Sequence, residues 1–148
     1  QLSQGIKVYV KLKENVGTLW GMGSAEQPFT LLQTEKYGEN GSILIAFGPS
    51  REALDINDGD AVAAQIRRYL PGVTVESSMG YDWNYDPFAL SPWPAYRVGQ
   101  MSAHLRELQK PEGRIHFAGS LTANGWHEWI DGAVESGLRA AREISAIL

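Results

Sequence analysis

The sequence predicts an α+β fold: a mostly antiparallel or mixed sheet with flanking helices, closed by a strand, a turn and a long helix. Three observations predict it. Short apolar stretches rich in β-branched and aromatic residues recur up to residue 47, separated by turn-formers. The apolar period changes to that of a helix over 58–70, and segment 131–148 is amphipathic at helical spacing.

Residues 6–12 (IKVYVKL) alternate apolar Ile6, Val8, Val10 and Leu12 with Lys7, Tyr9 and Lys11, the pattern of a half-buried strand. Strands are also predicted over 18–22, 29–33 and 42–47, the last following the turn-forming Gly38-Glu39-Asn40-Gly41, and together they read as an antiparallel meander. Over 58–70 the residues Val62, Ile66, Tyr69 and Leu70 fall on one helical stripe. Asp58 or Asp60 is available as N-cap there, and Pro71-Gly72 as the stop. Residues 73–83 return to alternation. Residues 84–98 (NYDPFALSPWPAYRV) carry prolines and aromatics without a period and read as an ordered binding loop. A short helix is predicted over 101–108 and a short buried strand over 114–119, stopped by Gly119-Ser120. The final helix has Ala133, Val134, Gly137, Leu138, Ala141 and Ile144 along its apolar face. Its other face carries the i,i+4 pairs Glu135/Arg139 and Arg139/Glu143.

At 148 residues the chain is one domain's worth, with core enough to need neither disulfide nor structural metal. The absence of cysteine excludes a disulfide framework, a thiolate nucleophile and sulfur-ligated zinc. A net charge of −4 argues against nucleic acid or an anionic membrane as the main partner. The longest apolar run, Ile43-Leu44-Ile45-Ala46-Phe47, is far short of a membrane span, and no basic-then-apolar secretory pattern opens the chain. A soluble, cytoplasmic protein is the expectation. A first residue of Gln1 is compatible with a processed product, a subunit or an excised fragment.

Several chemistries are absent. No G-x-S-x-G elbow occurs, and His104, His116 and His127 lack metal-site spacing, so no metal is implied. There is no G-x-x-x-x-G-K-[ST] loop, and Gly21-Met22-Gly23-Ser24-Ala25-Glu26 fails the dinucleotide pattern at its third glycine.

Segment 114–144, RIHFAGSLTANGWHEWIDGAVESGLRAAREI, is the informative stretch. Phe-Ala-Gly, a polar turn, a tryptophan and a helix opening Asp-Gly-Ala with Glu-Ser-Gly one turn on resemble the C-terminal flavin-binding segment of the FAD-dependent monoamine oxidase family. The wording FAGS-x-TANGW and IDGA-x-ESG is closest to bacterial nicotine and hydroxynicotine oxidases. Gly119 and Gly132 lack side chains where backbone would approach a cofactor, and the helix starting near Ile130 offers unpaired N–H groups and positive potential. In the family that helix end faces the flavin's pyrimidine edge.

The resemblance implies specific roles. Lys7 matches the lysine that holds a water against the flavin's reactive nitrogen, although by itself it is a polar-face strand residue. Trp83 matches a tryptophan packed beside the flavin ring. Trp93 and Trp129 fall where two aromatic walls flank the substrate amine, usually tyrosines in monoamine oxidases, and indole faces suit an amine in either protonation state. Trp83, Gly119, Ser120, Trp129, Ile130 and Ala133 are the implied flavin contacts. Pro92 stands where mammalian-type enzymes carry the flavin-linking cysteine, so noncovalent FAD is implied. Ser120 stands where many relatives carry an acid. No side chain is required as a strong general base.

The reading is therefore the C-terminal portion of a flavin-dependent amine oxidase. Residues 1–110 would form the C-terminal half of its substrate domain, and 111–148 the FAD-contacting strand and helix. The flavin would take hydride from the amine, leaving an imine, and dioxygen would be reduced to hydrogen peroxide. The implied partners are a small-molecule amine and an N-terminal FAD-binding half, in the same or another chain, carrying the absent G-x-G-x-x-G unit. A homo-oligomer is compatible with this reading. Alone, the chain is expected to bind FAD weakly and to be inactive. Two alternatives are a noncatalytic scaffold module derived from an oxidase, and an L-amino-acid oxidase with Arg97 as the carboxylate-binding cation.

Overall fold

Ile6, Val8, Val10 and Leu12 of β1 (Ile6–Leu12) are at most 3% exposed in a computed structural model that describes residues 2–94 and 96–148. Ala95, inside the predicted aromatic loop, lies outside the described residues. The fold divides into two compact units, Leu2–Pro92 and Trp93–Leu148.

The Leu2–Pro92 unit is a five-stranded sheet in the order β2-β3-β4-β1-β5, with β2 at Trp20–Met22, β3 at Leu31–Gly38, β4 at Gly41–Gly48 and β5 at Val75–Gly80. Every pairing is antiparallel. Strands β2, β3 and β4 form the expected meander, but β1 lies between β4 and β5 rather than at its start. The chain reaches β5 through α1 (Gly59–Tyr69), making a β–α–β crossover with β1 inserted between its strands. Gly41 closes the β3–β4 hairpin at φ 84°, where a Cβ would overlap the Leu12 carbonyl oxygen.

Helix α1 begins at Asp58, whose side chain accepts from the Ala61 amide at 2.9 Å, which resolves the choice between Asp58 and Asp60. Its Val62 and Ile66 pack into one cluster with Val8, Val10, Leu32 and Leu44, so one face of the sheet is covered. Strand β3 starts later than expected and runs further. Phe29 is fully buried as a core plug ahead of the strand, and polar Lys36 and Tyr37 extend the ladder past the core against Ile43 and Ser42.

The Trp93–Leu148 unit holds α2 (Gln100–Leu108), a single 3-10 turn (Ser120–Thr122) and α3 (Ile130–Ser145). One expectation fails here. Segment 114–119 is neither strand nor buried: it makes only the bridge between Glu112 and Ile115, because no neighbouring strand among the described residues is there to receive its ladder hydrogen bonds. In α3 the buried residues are Gly132, Ser136 and Ala140, while Val134, Leu138 and Ile144 of the predicted apolar stripe are exposed. Polar packing by the segment before the helix has taken the other face. No helix of the described residues is long and apolar enough to cross a membrane.

Candidate functional site

The face of the sheet turned away from α1 carries two cross-strand rows fixed by register. One runs Met22, Leu31, Phe47, Lys7 and the other Trp20, Gln33, Ile45, Tyr9, Met79. Trp20, Met22 and Met79 are largely exposed. The Lys7 ammonium lies 4.8 Å from the Tyr9 ring centroid and 5.4 Å from that of Phe47, so two aromatic faces hold the cation on this apolar surface.

After β5 the chain is ordered by its own contacts, as expected of a structured loop. Trp83 packs edge-to-face on Tyr81 with centroids 4.7 Å apart, and the Tyr81 hydroxyl donates to Asp86 at 3.0 Å. The Asp86 carboxylate also accepts from the Phe88 and Ala89 amides, and these backbone bonds, with the Tyr81 bond, hold its pKa below the ordinary value. Arg51 stacks 3.5 Å from the Tyr85 ring centroid and pairs with Asp82 at 3.7 Å. Trp83 remains half exposed.

In the Trp93–Leu148 unit, segment 116–129 lies along α3 and is gripped by that helix's polar face. Arg139 donates to the Phe117 carbonyl at 2.8 Å, to Thr122 Oγ1 at 3.2 Å and to Glu143 at 2.7 Å. Glu143 is also hydrogen-bonded to His116 Nδ1 at 3.0 Å, and the His116 and Arg139 bonds together lower its pKa. Ser136 Oγ accepts from the Gly119 amide at 2.9 Å. Glu135 turns away from its expected partner Arg139 and accepts from the amides of Asn124 and Gly125, which lower its pKa.

Gly119, at φ 156° and ψ 159°, occupies a region essentially restricted to glycine, and open space lies where its side chain would be. Ser120 follows in the 3-10 turn. Gly132 is buried, and a Cβ there would overlap the Trp126 carbonyl oxygen, so the chain's own turn requires a glycine at this position. Trp126 (φ 50°) and Glu128 (φ 69°) are non-glycine residues with left-handed backbone, a conformation costing about 1–3 kcal/mol each that is concentrated at functional sites. Trp129 is the N-cap of α3 and makes no side-chain capping bond. Trp129, Ile130 and Ala133 are exposed at that end of the helix, as is Trp93 elsewhere in the unit. An uncapped helix start, an open glycine and an adjacent serine suit an electron-rich, hydrogen-bonding ring edge, so the residues present fit a flavin. No group of three or more metal-ligating side chains occurs among the described residues.

Of the two predicted i,i+4 pairs, Arg139/Glu143 forms and Glu135/Arg139 gives way to the bonds of Glu135 with Asn124 and Gly125; Ser136, which sequence reasoning did not single out, holds the Gly119 amide. The signal for it is the small-residue spacing Gly132, Ser136, Ala140, every fourth position, which marks a close-packed face independently of hydrophobicity.

The flavin-containing amine oxidoreductase family model matches residues 2–145. Nicotine dehydrogenase of Pseudomonas putida is 48% identical over 149 residues, covering 100% of this chain and 31% of the relative. Pseudooxynicotine dehydrogenase of a Pseudomonas species is 47% identical over 98% of this chain and 30% of the relative. (S)-6-hydroxynicotine oxidase of Paenarthrobacter nicotinovorans is 35% identical over 98% of this chain and 33% of the relative. The chain thus spans about a third of these relatives' length. Among solved structures, putrescine oxidase bound to putrescine superposes with a TM-score of 0.77 at 23% identity, covering 97% of this chain and 35% of that one. Cyclohexylamine oxidase of Brevibacterium oxydans gives 0.75 at 17% identity, covering 98% and 35%. At these identities the structures show a shared fold.

Proposed function

The chain belongs to the flavin-containing amine oxidoreductase family, and from that premise we propose that it is part of an FAD-dependent amine oxidase converting an amine C–N bond to an imine. The main support is Lys7, a cation held by two rings on the face of the sheet turned away from α1, at the position that matches the family's water-holding lysine. The bound flavin would accept the amine's carbon-bound hydrogen as hydride and pass the electrons to dioxygen, giving hydrogen peroxide.

This chain's side chains bind and orient. Lys7 holds a water by donating to it, with Tyr9 and Phe47 fixing where the ammonium can reach. Trp93 and Trp129 confine the amine between apolar ring faces and exclude water. Trp83 would pack beside the flavin ring. Gly119, Ser120 and Ala133 would line the flavin, and the backbone amide of Ile130, in the first turn of α3, would stabilise negative charge on the ring's pyrimidine edge. With no cysteine in the chain, no thioether to the flavin comes from it.

We assign residues 1–110 to the substrate domain and 111–148 to the FAD-contacting part. The nucleotide-binding half, in the same or another chain, would cover the exposed stripe of α3 formed by Val134, Leu138 and Ile144. Without that half the isolated chain would lack most FAD contacts and be inactive. A cytoplasmic setting accompanies this reading.

A second reading concerns the oxidant. Two of the three relatives above are named dehydrogenases, which favours an electron acceptor other than dioxygen. Adding a panel of amines anaerobically to the flavin-loaded complete protein should bleach the flavin's visible absorption, and admitting either air or a dye acceptor then identifies the oxidant. Flavin that stays oxidised with every amine would sink the oxidase proposal in favour of a noncatalytic scaffold module. Bleaching by α-amino acids alone would favour the L-amino-acid oxidase reading and Arg97.

A further inference from the structure

We propose that Glu135 is a positioning residue that holds the 124–129 turn against α3 and thereby sets the orientation of Trp129. The inference rests on the reading of Trp129 as a wall of the amine site. One Glu135 carboxylate oxygen accepts from the Asn124 side-chain amide at 2.8 Å and the other from the Asn124 and Gly125 backbone amides at 2.9 and 3.2 Å. Hydrogen bonds to an ionised acceptor are the stronger class, and these converge from consecutive residues on one side chain.

The turn needs such an anchor because its own backbone opposes the conformation. Trp126 and Glu128 are both left-handed, and such residues persist only where the surroundings over-determine them. The surroundings here are two. Gly132 lets the Trp126 carbonyl sit where a side chain would otherwise be, and Glu135, three residues along α3, fixes the start of the turn. Gln109 adds a bond to the Asn124 side chain at 3.0 Å, but it is neutral and does not reach the turn's amides. From this base the backbone passes directly into the helix: the Trp129 amide donates to the Trp126 carbonyl and the Ala133 amide to the Trp129 carbonyl, both at 3.1 Å. Trp126 and Trp129 are 71% and 66% exposed, so little side-chain packing within this chain holds either ring. The direction in which the Trp129 side chain leaves the chain is therefore set by the backbone, and the backbone by Glu135.

Glu135→Gln in the flavin-bound complete protein tests this, since it keeps the volume of the side chain and removes its charge and half of its accepting capacity. Amide hydrogen exchange at Asn124 and Gly125 should quicken about tenfold or more while amides of the sheet keep wild-type rates, which also shows that the variant folds. In steady state, KM for a flat aromatic amine should rise about ten- to a hundredfold, with a smaller change in kcat, because misplacement of a wall weakens binding more than it alters the reacting atoms. Glu135→Asp, which keeps the charge, should restore part of the exchange protection and part of KM. Unchanged exchange at Asn124 and Gly125 overturns the anchor, and faster exchange with unchanged KM overturns its consequence for Trp129. A wild-type protein that is not reduced by any amine instead overturns the oxidase reading, and with it the role given to Trp129. The exchange result separates that failure from a failure of the anchor.

Discussion

In the Leu2–Pro92 unit the side chains of Val8, Val10, Leu12, Leu32, Leu44 and Ile66 are fully removed from water, whereas the buried apolar residues of the Trp93–Leu148 unit are Ala123 and Ala140 among the described residues. The first is an ordinary sheet-and-helix core. The second is organised by hydrogen bonds from Glu135, Ser136, Arg139 and Glu143 to the backbone and side chains of 116–125, with its large apolar residues turned outward. The difference teaches that the two kinds of interaction do different jobs here. Hydrophobic burial makes a stable platform on which Lys7 stands, while the polar face of α3 shapes a loop and leaves Val134, Leu138 and Ile144 exposed.

The largest effect expected from this contrast is on stability. In the isolated chain Leu44→Ala should lower the unfolding free energy by about 2–5 kcal/mol, the usual cost of a cavity in a closed core, read by denaturant titration. Leu138→Ala, on the exposed stripe of α3, should change it by no more than about 0.5 kcal/mol in the isolated chain, yet cost about 2 kcal/mol or more in the complete protein if the nucleotide-binding half covers that stripe. A costly Leu138→Ala in the isolated chain would break the comparison.

A smaller effect sharpens it through pH. Glu135 and Glu143 have pKa values lowered from the ordinary 4.5 by amide, His116 and Arg139 bonds. A carboxyl with a lowered folded value adds stability that is fully present above its unfolded pKa and is lost as pH falls through the folded one. Acidification below about pH 4.5 should therefore shift the amide resonances of Asn124 and Gly125 while those of β1 and β4 stay in place. Simultaneous loss of both sets would mean that the two units do not differ as described.

Much of this was legible in the residues. Strict alternation identifies β1, because a strand with one covered face must repeat every second residue, and Asp58 with the stripe through Val62 and Ile66 identifies α1. The α+β class follows from those periods, and the motif wording of 114–144 led to the family. What periodicity does not carry is which neighbour an element has. Segment 114–119 has strand composition but no strand beside it among the described residues, and the apolar stripe of α3 does not by itself say whether it is buried or exposed. Glu135 and Arg139 read as an i,i+4 pair because opposite charges at that spacing are neighbours on a helix, and it is the fold of the preceding loop onto Ser136 that gives them backbone partners instead. Gly132 likewise has its reason in the Trp126 carbonyl, a contact invisible in one dimension.

The central claim, that Lys7 stands on a rigid platform to serve flavin chemistry, is tested most directly by Lys7→Met in the flavin-loaded complete protein. The half-time of flavin bleaching by amine and of its reoxidation should be followed by stopped-flow absorbance. A rate at least about a hundredfold slower in one of these steps, with the fold and flavin content unchanged, is the predicted result. Wild-type rates in both steps would contradict the account.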